Sequence, residues 1–244
     1  MKSIPTIYEN KHVLALNKPS GLMVHPDGKN NTITLADKIL EEYPELKKVG
    51  EPMRFRGKGG KEKIIYRPGI VHRLDKDTSG VLLVAKDQET FLFLKSQFKE
   101  RQIKKTYRAI VFGSMKEKSG VINRPLGRSP GDFRKFSAHK TARGELREAI
   151  TEYKVLKNFK TKEGEFTYLE LYPKTGRTHQ LRAHLKFINY PIVCDSIYAG
   201  RRGCALGMSR LALHAFSISF ALPNGKKLTC EAEIPADFVS ALTD

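Results

Sequence analysis

The 244-residue chain has no tryptophan, only three cysteines, and 26 acidic residues against 44 Lys and Arg. The cysteines (Cys194, Cys204 and Cys230) are odd in number and form no Cys-x-x-Cys. That argues against a disulfide scaffold and a structural zinc site, and suits a reducing cytosol. No apolar run approaches the ~18 residues a membrane-spanning helix needs. The N-terminal stretch lacks a basic region followed by an apolar one, so a secretory leader is not expected. The shortage of acid leaves a formal net charge of +18. Phosphate contacts and counterion release make a nucleic acid the natural partner for such a chain; a basic protein with no polyanionic partner is the alternative. Apolar residues are not scarce: 40% are hydrophobic, enough for the core of one large domain or two small ones.

The basic residues cluster. Residues 47–67 hold Lys47, Lys48, Arg54, Arg56, Lys58, Lys61, Lys63 and Arg67 against Glu51 and Glu62. With the run Gly57-Lys58-Gly59-Gly60-Lys61 at its centre, this stretch reads as a flexible basic loop, too glycine-rich for a helix. A second cluster runs from Lys99 to Arg108. A third, residues 124–147, places Arg128, Arg134, Lys135, Lys140 and Arg143 around Phe133 and Phe136. Aromatics among arginines can stack on bases or can be strand residues packed on a neighbour.

Periodicity gives a coarse layout. Residues 13–16 form a short strand, and residues 33–43 a helix with Leu35, Ile39, Leu40 and Tyr43 on one face. The apolar run 81–85 is a buried strand. Asp87 caps a helix reaching about residue 102, with Phe91, Leu94 and Phe98 inward. Strands follow at 107–111, 150–156 and 166–172. Thr178 is expected to cap a helix carrying Leu181, Leu185 and Ile188. Residues 211–220 and 228–234 are late strands, joined by a Pro223-Asn224-Gly225 turn. Long antiparallel strands with few helices indicate an α+β fold rather than a doubly wound sheet. No internal repeat or clear linker divides the chain, so one domain over residues 1–244 is expected.

Several cofactor motifs fail. No G-x-x-x-x-G-K-[ST] loop is present, and the dinucleotide pattern breaks at Glu62. Asp75-x-Asp77-x-Ser79-Gly80 opens like a calcium loop, but its twelfth position is Lys86 where a glutamate is required. His179 and His184 do not make H-E-x-x-H and have no carboxylate beside them, so no metal site is expected.

The densest unusual stretch is Ile70-Val71-His72-Arg73-Leu74-Asp75-Lys76-Asp77-Thr78-Ser79-Gly80, which leads into the buried strand. Such a loop can be a plain turn closed by hydroxyls and carboxylates. It can equally present reacting groups from a rigid strand. Here the sequence resembles the RluA family of RNA pseudouridine synthases, with five motifs in the family's order. Asn17-Lys18-Pro19-Ser20-Gly21 with Val24-His25 is similar to the N-terminal signature. His72-Arg73-Leu74-Asp75 with Thr78-Ser79-Gly80 is similar to the catalytic loop. Lys105-Thr106-Tyr107-Arg108-Ala109 with Gly113 is similar to the tyrosine motif. Gly176-Arg177-Thr178-His179-Gln180-Leu181-Arg182-Ala183-His184, continued by Pro191-Ile192, Asp195 and Tyr198, is similar to the third. Arg210-Leu211-Ala212-Leu213-His214-Ala215 is similar to the last.

The resemblance implies a mostly antiparallel mixed sheet flanked by helices, and isomerisation of a uridine within RNA. The N1–C1′ bond is broken, the uracil turns, and it is rejoined through C5, with no metal, nucleotide or redox cofactor. Asp75 would be the essential carboxylate, acting either as a nucleophile or as a base at C2′. Tyr107 would contact the uracil and assist proton transfer at C5. Arg182 would pair with Asp75, since a guanidinium stays charged and can bind a carboxylate bidentately. Arg73 would hold the flipped nucleotide, Leu213 would line the uracil pocket or simply the core, and Arg177 and His179 would brace the loop. Arg124-Pro125-Leu126-Gly127-Arg128 is similar to the family's RNA-embracing hairpin, which makes Arg128 an RNA contact.

The signature begins near residue 7 of this sequence, so the S4 RNA-binding domain many relatives carry is not expected before it. RNA contact is therefore expected from the basic insertions at about 47–67 and 124–147. Cys194 stands where relatives usually have Gly. Two other readings are open: a Mg-dependent phosphohydrolase using Asp75 as nucleophile, because D-x-D-T suits that chemistry, and a non-catalytic RNA-binding protein. Ribosomal or transfer RNA, a cytoplasmic location and a monomer complete the expectation.

Overall fold

The computed structural model describes residues 4–26, 32–56, 62–132 and 134–243. Its contacts gather into two compact units, Met1–Ile103 with Ser217–Ala232, and Lys104–Phe216 with Glu233–Asp244.

The first unit opens with β1 (Thr6–Glu9) and β2 (Val13–Lys18), followed by α1 (Leu35–Glu42). Thr34 starts α1 with a capping box: Asp37 N–H donates to the Thr34 hydroxyl, and the Thr34 N–H donates to the Asp37 carboxylate at 2.8 Å. Next come β3 (Met53–Arg56) and β4 (Glu62–Ile65), an antiparallel pair. Residues 47–67 are thus not all loop. The alternation Met53-Arg54-Phe55-Arg56 and the β-branched Ile64-Ile65 suit a two-stranded ribbon, while Gly57 to Lys61 lie outside the described residues.

In β5 (Ser79–Ala85) all seven residues are buried, as a continuous apolar run requires. It pairs antiparallel with β2 from Val13–Ala85 to Lys18–Gly80. Gly69, at φ +59, passes so close to the end of β5 that a Cβ would sit 1.9 Å from the Ala85 carbonyl oxygen; only glycine fits. Asp87 then caps α2 (Gln88–Lys99), accepting from Thr90 N–H at 2.7 Å. Val13, Leu83, Phe91 and Leu94 form the centre of this unit's core. Truncating one of these large side chains to Ala would cost about 2–5 kcal/mol.

The second unit is built on β6 (Lys104–Phe112), β7 (Ser119–Asn123), β8 (Leu126–Arg128), β9 (Phe136–Ser137), β10 (Arg143–Arg147), β11 (Ile150–Thr161) and β12 (Gly164–Pro173). β12 pairs with β6 on one side and with β11 on the other, and β11 pairs with β7, all antiparallel. β10, β8 and β9 form a separate small sheet within the 124–147 insertion; Phe133 lies outside the described residues. α3 (Gln180–Phe187) contributes Leu181 and Leu185 to a core with Ile110, Phe166 and Leu169. This helix starts later than its sequence suggests. The chain takes a left-handed step at His179 (φ +56), so His179 and not Thr178 occupies the cap position. β13 (Leu213–Ala221) begins in the second unit and continues into the first, where it pairs with β14 (Lys227–Glu231). α4 (Ala236–Thr243) returns to the second unit, burying Phe238 and Ala241.

The architecture is α+β. Cys194 and Cys204 are joined as a disulfide across ten residues of sequence; an odd cysteine count does not prevent one local bridge. Cys230 is free and buried. Among the described residues, no helix is long and apolar enough to cross a membrane.

Candidate active site

In the first unit the Asp75 loop is hung from buried groups on both sides of it. Leu74 is buried, as are Thr78 and Ser79, and the Thr78 N–H closes a turn onto the Asp75 carbonyl at 3.2 Å. Between these anchors Asp75 is half-buried and Arg73 exposed. The strongest brace is Lys18. It is fully buried, and its ammonium donates to the carbonyls of Pro19 (2.8 Å), Leu22 (2.8 Å) and Lys76 (2.9 Å). Three acceptors match the three N–H donors of an ammonium group, which is what makes its burial tolerable. Gly21 N–H also donates to the Lys76 carbonyl (2.9 Å), and the Ser20 hydroxyl to the Asp77 carbonyl (2.6 Å). The Asn-Lys-Pro-Ser-Gly segment therefore fixes the backbone immediately after Asp75. His72 accepts the Leu83 N–H at 2.9 Å and stacks on Phe98, tying the start of the loop to β5 and α2. His25 is pushed down to about 4, first by burial and then by the positive charges of Arg67 and Arg73, so its imidazole is neutral at neutral pH.

In the second unit Tyr107 is half-buried on β6, opposite Leu171 of β12. It packs against the core cluster that contains Leu213, itself buried. Lys105, two residues earlier on the same face of the strand, has its pKa lowered by burial. Arg182 is almost wholly buried on α3. Its Nε and Nη2 donate to the two carboxylate oxygens of Asp195 at 2.7 and 2.8 Å. Asp195 in turn accepts the Ile197 and Tyr198 amides at 3.0 and 2.9 Å, and the Tyr198 ring lies 5.2 Å from the guanidinium. The motif pattern includes Asp195 without assigning it a task. Its task here is to hold the Arg182 fork in one orientation.

Arg128 is exposed on β8, its guanidinium 4.6 Å over the Phe136 ring. Between β9 and α3 lies a cleft of about 720 Å³ lined by Lys135, Phe136, His139, Lys186, Phe187 and Tyr198 among others, with no carboxylate among the described residues of its lining. Arg177 Nε donates to the Glu148 carbonyl at 3.0 Å, at the root of the same insertion. Arg73 and Asp75 thus share one loop of the first unit; Tyr107, Arg182, Leu213 and Arg128 belong to the second. Among the described residues no group of three or more His, Cys, Asp or Glu side chains could hold a metal ion.

The profile of the family described as RNA pseudouridylate synthase matches residues 12–187. This chain belongs to that family. The RNA pseudouridine synthase assignment rests equally on curated relatives. The chain is 41% identical over 241 residues to the "Ribosomal large subunit pseudouridine synthase D" of Borreliella burgdorferi, covering 99% of this chain and 68% of that protein. It is 37% identical to an uncharacterised RNA pseudouridine synthase of Synechocystis sp., covering 97% of this chain and 67% of the relative. Among solved structures, human RNA Pseudouridylate Synthase Domain Containing 4 superposes with a TM-score of 0.72 at 26% identity, covering 98% of this chain and 91% of that one. Membership in this family of isomerases favours neither the phosphohydrolase nor the non-catalytic reading.

Proposed function

We propose that this RNA pseudouridine synthase acts on a uridine of ribosomal RNA, its two units working as one catalytic domain, as a monomer in the cytosol. The observation that carries the reading is the treatment of the Asp75 loop: a fully buried lysine and two further hydrogen bonds are committed to the backbone beside one half-exposed carboxylate. A plain surface turn needs no such support. Asp75 is the essential carboxylate, Tyr107 contacts the uracil, and Arg182, oriented by Asp195, supplies the fixed positive charge that pairs with Asp75. Leu213 lines the uracil pocket.

Flipping the uridine out of its stack costs a few kcal/mol, and Arg73, exposed two residues from Asp75, fills the vacated space. The insertion at 124–147, with Arg128 on Phe136 and the carboxylate-free cleft beside it, grips RNA outside the target nucleotide. Ribosomal RNA is favoured because several curated relatives carry the name ribosomal large subunit pseudouridine synthase D. The match of the family profile from residue 12 to residue 187 runs through parts of both units, which supports their acting together.

RNA labelled with tritium at uridine C5 tests this. Forming pseudouridine releases that tritium to water. Release from ribosomal RNA in EDTA, absent in Asp75→Asn while RNA binding persists, is the expected result. Release only from transfer RNA would overturn the substrate assignment, and full release by Asp75→Asn would overturn the site.

A further inference from the structure

The Gly-Arg-Thr-His-Gln segment and the start of α3 carry more polar side chains than the site described above uses, and these side chains form a directed ladder. His184 is fully buried. Its Nε2 lies 2.9 Å from the Arg124 carbonyl, which can only accept, so Nε2 carries the proton. Burial lowers the pKa of His184 and favours the neutral ring, so Nδ1, 2.9 Å from the Thr151 hydroxyl, accepts from it. The Thr151 oxygen accepts from Gln180 Nε2 (3.1 Å), which also donates to the Ile150 carbonyl (3.0 Å). Gln180 Oε1 accepts from the Thr175 hydroxyl (2.7 Å) and the Arg177 amide (3.0 Å). Thr175 finally accepts the Ile150 amide at 3.0 Å. The direction of every bond is forced, and a buried network satisfied throughout specifies one arrangement.

The far ends of the ladder share a location. Arg124, Ile150 and Thr151, with the Glu148 carbonyl held by Arg177, are the two roots of the basic insertion; between them the Arg124 amide donates to the Ala149 carbonyl at 3.1 Å. The near ends sit on α3, the helix that carries Arg182. We propose that His184, with Gln180, is a positioning residue that fixes the basic hairpin to the Arg182 helix and so sets where RNA held by the hairpin lies relative to the reacting groups. This rests on the hairpin's contact with RNA. His184 touches neither RNA nor reacting atoms; it acts through the hairpin roots.

The test is steady-state tritium release with separate KM and kcat, in the full chain. His184→Leu is expected to raise KM about tenfold or more with kcat within about threefold, and to speed tryptic nicking at the Arg and Lys residues of the insertion. His184→Gln, whose amide can still donate to the Arg124 carbonyl, should restore most of the affinity. Thr151→Val removes one hydroxyl at nearly constant shape and carries the same expectation should His184→Leu not fold. Combined with Arg128→Ala, the KM effects should be less than multiplicative, because both act through one grip. A fall in kcat at unchanged KM, a His184→Gln chain as defective as His184→Leu, or fully multiplicative effects would overturn the proposal. If Arg128→Ala itself leaves KM at the wild-type value, the hairpin's role in RNA binding falls, and the proposal with it. A raised KM in Arg128→Ala beside an unchanged one in His184→Leu defeats the ladder alone.

Discussion

Replacing Asp195 with Asn removes the carboxylate charge that grips Arg182 in two bonds while keeping nearly the same shape. Both side chains are essentially inaccessible, at 0% for Asp195 and 4% for Arg182. The two bonds between them, at 2.7 and 2.8 Å, have the bidentate geometry of the strongest ion pairs. Removing one partner of a buried ion pair costs about 3–5 kcal/mol. The introduced amide also points N–H groups at guanidinium N–H groups or at the Ile197 and Tyr198 amides, so at least one buried donor loses its acceptor. For a chain of this size about 2–4 °C of Tm accompanies each kcal/mol, which predicts a drop of roughly 6–20 °C. Far-UV circular dichroism is the suitable probe, since the chain has no tryptophan. The companion variant separates stability from chemistry. Replacing both partners, Arg182→Met with Asp195→Leu, should recover part of the lost Tm, because apolar pairs of similar size often substitute for buried ions, while the Ile197 and Tyr198 amides still lack the acceptor that Asp195 gives them. Tritium release should be abolished in that double variant, because it lacks the Arg182 charge. A melting temperature within 2 °C of wild type for Asp195→Asn would refute the structural half of the argument; recovered release in the double variant would refute the catalytic half.

Two further outcomes follow from strained or buried groups. His25 has a folded-state pKa of about 4 against an ordinary value near 6.5. As pH falls, the unfolded chain takes up the proton first, so stability declines between about pH 6.5 and pH 4 and is unaffected by this group above that window. The loss is at most about 3 kcal/mol; urea midpoints at pH 7, 5.5 and 4 should converge for His25→Gln and separate for wild type, and identical pH profiles would contradict the assignment. Cys194 sits at φ +57, a backbone state that glycine enters at little cost and that costs other residues about 1 kcal/mol. Cys194→Gly should therefore be more stable than wild type in excess dithiothreitol. Without reductant it should be less stable, because a bridge closing a loop of this size is worth about 2–3 kcal/mol. The same sign under both conditions would refute either the bridge or the strain.

What the sequence disclosed depended on how local the cause was. β5 and α2 were legible because a five-residue apolar run, residues 81–85, and a capped amphipathic helix are written in consecutive residues. The start of α3 was not, because Gln180, next to the left-handed step at His179, is held by Ile150 and Thr151, residues distant in sequence. Residues 47–67 read as a loop because the glycine-rich run 57–61 and the many basic residues dominate their composition, which hides a short ribbon. The motif pattern marked Asp75, Tyr107 and Arg182. It gave no task to Lys18, whose type is normally exposed; burial becomes acceptable only once three carbonyls converge on it. Asp195 is similar: thirteen residues from Arg182, it carries no local sign of its partner. α4 went unread altogether.

The passage of β13 from the second unit into the first has a consequence for synthesis on the ribosome. The first unit needs Ile218, Phe220, Leu222, Cys230 and Ala232 to complete its core. When residue 103 has emerged, that core still lacks one wall, and about 130 further residues must be translated before residue 232 arrives. At ~5–20 residues per second the interval is roughly 6–26 s. During it Val13, Leu83 and Phe91 have an incomplete set of neighbours, and the loop bearing Asp75 hangs on an unfinished support. The N-terminal half is therefore the first to be made and among the last to be finished, a natural client for chaperones that bind exposed apolar strands.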